Sequence, residues 1–177
     1  MSTLSIDSVC DSVREAGSIH VADVLSLRHA LMAQGALGES DARRLFELAR
    51  ADLPACAQWG EFFVETLSAH IIGHQSLHSG LSEEKAGWLA EMIEAQPIND
   101  ALAFELVAAV MRKASTCPSS LMLCVLHRLE ALASRAATSC DAALEENLEL
   151  ARRALKTAGL AGRLYTPRPR TPAALAA

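Results

Sequence analysis

The stretch that decides the fold is Leu27–Leu48, LRHALMAQGALGESDARRLFEL. An apolar-striped helix runs into it from about Ala22 and ends at Gln34. Val24, Leu27 and Leu31, joined by Leu25 and Met32, follow the three-and-four spacing of one buried helical face. Gly35 follows, where a left-handed residue closes a helix. After a five-residue break, Gly35–Glu39, a second helix runs from about Ser40 to Ala51. Ala42, Leu45, Phe46 and Ala49 face inward on it, and Ser40 or Glu39 is its expected cap.

The same pattern extends along the chain. Pro54 precedes a helix over about Ala55–His74, whose Trp59, Phe62, Phe63, Leu67 and Ile71 form its heaviest apolar load and place it at the centre. Ser82 caps a helix over about Glu83–Ala95, with Trp88, Leu89, Met92 and Ile93 on its face. Three more are expected over about Asp100–Ala114, Ser119–Arg135 and Asp141–Ala158, the last introduced by a Thr138/Asp141 capping box. Residues 1–18 read as a weakly structured lead-in with a short helix near Ile6–Glu15, residues 19–158 as one helical domain, and 159–177 as an extended Pro/Arg-containing tail.

Composition agrees. Of the 177 residues 51% are apolar, enough for a sizeable core, yet only 4% are aromatic. Ala and Leu, strong helix formers, dominate over strand-favouring residues. The expected architecture is an all-α compact bundle of about six to seven helices around a central aromatic-rich helix.

A net charge of −5 argues against a nucleic-acid partner, which calls for a basic face to replace counterions on phosphate. Arg43, Arg44 and Arg50 could make a recognition helix of Ser40–Ala51, but Glu39, Asp41 and Glu47 share it. The most apolar run, Ala101–Met111, is interrupted by Glu105 and too short to insert in a membrane. The N-terminus lacks the basic start and apolar run of a secretory signal, so the chain reads as a soluble cytoplasmic protein. Five cysteines without a C-x-x-C read as reduced thiols.

The Arg-Ala-Leu helix, the Gly-containing break, the acidic opening of the next helix and its Leu-Phe pair resemble the TerB-like (tellurite-resistance-associated) bacterial helical family. WGEFFVETLSAHII, Trp59–Ile72, looks like that family's aromatic-rich central helix. The resemblance implies helix pairs around that helix and a stress-related role. Family members commonly read A-D-G at the break, with a Glu a few residues later, and these carboxylates are associated with divalent metal. Here the matching positions are Ala33, Gln34 and Gly35, with Glu39 and Asp41 after them, so the carboxylates a hard cation needs are largely missing. RHALMAQG (Arg28–Gly35) also echoes RRALKTAG (Arg152–Gly159), as an internal duplication would.

Chemistry-bearing clusters are few. His70 and His74 lie one helical turn apart and could chelate a divalent metal such as zinc, with His78 nearby. The competing reading makes His70 a core-facing histidine bonded to a carbonyl. Cys124 and His127 could meet on one helix, but Cys124 falls in an apolar stripe and no third group orients the pair. The acidic pairs Glu83/Glu84 and Glu145/Glu146 read as helix-start and solvent-face charges. The leading expectation is therefore a non-enzymatic helical interaction module, without a cofactor, for a protein partner that the sequence does not name. The alternative is a metal-binding or metal-responsive protein using His70 and His74.

Overall fold

The computed structural model describes residues 5–73, 80–94, 98–139 and 142–157. Among these residues the chain is all-helical, with eight helices: α1 (Ile6–Ala16), α2 (Val21–Gln34), α3 (Glu39–Arg50), α4 (Ala57–Ile72), α5 (Glu83–Glu94), α6 (Asp100–Lys113), α7 (Ser119–Thr138) and α8 (Ala142–Thr157).

The segment expected to be a weakly structured lead-in holds α1, capped by Ser5 and packed on α2 and α3. Ile6, Val9, Cys10 and Val13 are buried on one side of it, so burial rather than helix propensity holds it in place. At the break, Gly35 has φ +84° and its N–H bonds the Leu31 carbonyl, which ends α2. The cap of α3 is Gly38 rather than Ser40 or Glu39, because the Asp41 carboxylate reaches back to the Gly38 N–H at 3.2 Å. Ser82 caps α5 through the Lys85 N–H. Thr138 ends α7, its hydroxyl bonding the Ser134 and Arg135 carbonyls, and Asp141 lies outside the described residues.

A short parallel bridge joins the link before α2 to the link before α4. The Ile19 N–H donates to the Pro54 carbonyl at 2.8 Å and the Cys56 N–H to the Ile19 carbonyl at 3.0 Å. It ties α1–α3 to the start of α4. On the far side of α4 lie α6, then α7 and α8, with α5 packed on α7.

Helix α4 is central, as its apolar load predicts, and α6 shares that position. Ala103, Phe104 and the unbroken run Leu106–Met111 are all buried on α6. The two helices run parallel: Gly60 faces Leu102 near their starts, and Lys113 donates to Ser68 near their ends. The connections also touch. Gly80 lies so close to Thr116 that a Cβ there would fall 1.9 Å from its hydroxyl, and the Leu81 N–H bonds the Thr116 carbonyl. Edge contacts link Phe46 to Phe63 and Trp88, while Trp59 packs on Phe62 and Phe63, forming a buried aromatic cluster across α3, α4 and α5.

Candidate functional site

Helix α2 departs from the expected pattern in a way that matters for function. Val24 and Leu27 are buried, and Ala30 with them. Leu25 and Met32, expected on the buried face, are instead 55% and 76% exposed, and Val21 is 46% exposed. The apolar residues of α2 spread around the helix, and small Ala30 takes the inward place. Val21, Leu25 and Met32 thus form an outward apolar line along three turns.

Beside that line, α2 and α4 diverge around a cavity of about 340 Å³. Leu31, Met32, Leu37 and Phe62 supply much of its apolar lining, and Glu65, Thr66 and His70 are its polar groups on α4. At the rim Arg28 pairs with Glu65 at 3.0 Å and lies over the Phe62 ring. The two charges offset each other, leaving the rim close to neutral.

His70 is half-buried. Its Nδ1 lies 2.9 Å from the Leu37 carbonyl and its ring meets Trp88 edge-on. This is the carbonyl-bonded geometry that the core reading of His70 anticipates. The carbonyl only accepts, so Nδ1 donates, and in the neutral ring Nε2 is left as the acceptor, a tautomer metal ligands also use. His74 and His78, its expected companions, lie outside the described residues. Among the described residues no group of three His, Cys, Asp or Glu side chains could hold a metal ion.

Hydrogen bonds between its own side chains and backbone organise the break between α2 and α3. Gln34, in the position where the resemblance expects aspartate, donates its amide to the Asp41 carboxylate at 2.6 Å. Asp41 is buried and also accepts from Gly38. Glu39 turns to Arg43 at 2.9 Å.

The three arginines of α3 do not form a basic face. Arg43 pairs with Glu39, and Arg44 with Asp7 and Glu47. Arg50 turns inward, donating to the Met92 carbonyl at 2.8 Å and lying over the Phe46 ring. Cys124 is buried while His127 is exposed, so the pair shares no site. Burial, then the Glu94 carboxylate beside it, pushes the Cys124 thiol up to about 12, and burial pushes Cys10 to about 11. Both stay neutral thiols, poor nucleophiles, at physiological pH. Among the described residues Cys10, Cys56 and Cys124 form no disulfide. Of the acidic pairs, Glu83 accepts from Ser120, and Glu145 and Glu146 are exposed on α8.

Sequence reasoning missed two features. One is Thr66, 7% exposed on the cavity wall. Its signal was there: Phe62, Thr66 and His70 stand four residues apart on one face. The other is Arg128, whose side chain is 16% exposed and whose guanidinium bonds the Ile93 and Ile98 carbonyls and the Asp100 carboxylate.

In comparison with known proteins, the chain matches no family model, no curated protein and no solved structure. No described helix is long and apolar enough to cross a membrane.

Proposed function

We propose that the protein is a non-enzymatic helical interaction module that receives a protein partner on the outer face of α2. One observation carries this reading: Val21, Leu25 and Met32 form an exposed apolar line on a helix whose other side is already packed. A line of large apolar side chains at helical spacing suits an amphipathic partner helix. The likeness of Leu27–Leu48 to TerB-like proteins adds a stress-related setting to the proposal. Its test is affinity capture with wild type and with the Val21→Glu, Leu25→Glu double variant. Both positions are exposed, so the fold should be retained. Proteins held by wild type and lost by a folded variant support the reading, and an unchanged set refutes it.

A second reading rests on the His70–Leu37 bond, which orients the ring as in many metal sites. In it, His70 and His74 bind zinc weakly, with water or another side chain completing the coordination.

A further inference from the structure

The cavity between α2 and α4 has the makings of a small-molecule site beside the outer face of α2, with Met32 at the border of the two. Its volume of about 340 Å³ falls at the lower end of the range for ligand pockets, about 300–1,000 Å³, and such pockets pair apolar walls with a few placed polar groups. Those polar groups are adjacent here. Thr66 and His70 stand four residues apart on one face of α4, which brings their Cβ atoms within about 6 Å. Thr66 is 7% exposed, yet its hydroxyl finds no hydrogen-bond partner among the described residues. The hydroxyl is not among the fully buried unpartnered atoms, so it opens onto the cavity and is free to bond a group that enters it. His70 contributes the complementary half, because in the neutral ring the Leu37 bond leaves Nε2 as the acceptor.

A donor and an acceptor this close suit one ligand atom that accepts from Thr66 and donates to His70. A hydroxyl does both. The rim decides the charge: Arg28 and Glu65 neutralise each other, and among the described residues the other charge close by, the Lys85 ammonium, bonds the His70 carbonyl and is not part of the lining. We propose that this cavity binds a compact, uncharged phenol or apolar alcohol, its hydroxyl bridging Thr66 Oγ1 and His70 Nε2 and its hydrocarbon body against Leu31, Leu37 and Phe62.

The test uses the full chain and two probes of nearly equal shape, 2-naphthol and naphthalene, with binding followed by amide chemical shifts. Wild type should bind 2-naphthol about tenfold more tightly than naphthalene, the worth of a good hydrogen bond. Shift changes should centre on Leu31, Leu37, Thr66 and His70. Thr66→Val keeps the shape and removes the hydroxyl. It should erase most of the 2-naphthol advantage, leave naphthalene binding unchanged and keep or raise the melting temperature. Ala69→Trp, at an exposed position on the cavity wall, should weaken both probes while the protein stays folded. Failure of wild type to bind 2-naphthol, or equal preference for it in the Thr66→Val protein, overturns the proposal. So does unimpaired binding in the Ala69→Trp protein. Neither of these variants touches Val21 or Leu25, so the outcome is independent of whether a protein docks on the outer face of α2.

Discussion

Arg128 on α7 holds Asp100, the first residue of α6, at 2.8 Å, and the same guanidinium donates to the Ile93 and Ile98 carbonyls at 3.0 and 2.7 Å. One side chain thus joins the end of α5 to the start of α6. Arg135, one heptad further along α7, grips the other oxygen of Asp100 from the solvent side. The carboxylate is only 13% exposed, so this cluster is screened far less than a surface ion pair.

Removing Arg128 should therefore be severe. Arg128→Met keeps apolar bulk but leaves Asp100 with one exposed partner and two carbonyls without their donor. The expected loss is about 3–5 kcal/mol, as for other broken buried pairs. Arg135→Met should cost under about 1 kcal/mol, in the range of exposed pairs. Urea denaturation of both variants checks the contrast, and equal losses would contradict it.

Trp59 is 5% exposed and packs on Phe62 and Phe63. Trp59→Ala should destabilise the protein by about 3–5 kcal/mol, the range for deleting a large buried aromatic. A melting temperature close to wild type would place the indole outside the core.

The break between α2 and α3 should not bind calcium, since the Gln34 amide already satisfies Asp41. Calorimetric titration should give no micromolar binding, and such binding abolished by Glu39→Ala would refute this. Gln34→Glu should destabilise by about 1–2 kcal/mol, because it sets a second carboxylate against the buried one and removes its donor. Thermal melts at neutral pH give that answer directly.

The zinc reading makes its own prediction. Zinc should raise the melting temperature of untagged wild type, and the His70→Ala, His74→Ala variant should lose that shift while remaining folded. An equal shift in the variant puts the site elsewhere, and no shift in wild type removes the reading.

Alkaline pH should weaken the fold through two thiols. Burial raises Cys10 to about 11 and Cys124 to about 12, against 9.0 for an ordinary thiol. Below pH 9 both states keep the proton and nothing changes. Above it the unfolded chain loses protons that the folded chain retains, so stability falls from about pH 9 up to about 12. The Cys10→Ala, Cys124→Ala variant should show a shallower decline over that window. Parallel curves for the two proteins would contradict the assignment.

Much of the architecture was legible because helices announce themselves locally. Gly35, Pro54 and Ser82 punctuate the chain where helices begin and end, and the stripe of α4 matches its buried face. Helix α2 was harder, because an all-round apolar helix does not say which side meets the core. The side went to Ala30, whose small size allows close packing, and Leu25 was left outside. Helix α1 looked weak alone because its burial depends on α2 and α3, which sequence spacing does not reveal. The site was legible in part. His70 stood out by type, but Thr66 became significant only when the cavity showed its hydroxyl without a partner. Arg128 reads as a surface residue until the carbonyls that receive it are located in space.

The parallel alignment of α4 and α6 has a further consequence, for kinetics. Antiparallel neighbours in a bundle can zip from a short turn, whereas these two meet only after α5 has been carried across, and Lys113 finds Ser68 over a separation of 45 residues. The central contact of the molecule is thus among its least local, and the chain entropy lost in forming it comes before most of its reward. Folding should be slower than for an up-and-down bundle of equal size. Substitutions that loosen the α5–α7 packing should retard folding by delaying this closure, whereas those confined to α1 should mainly speed unfolding.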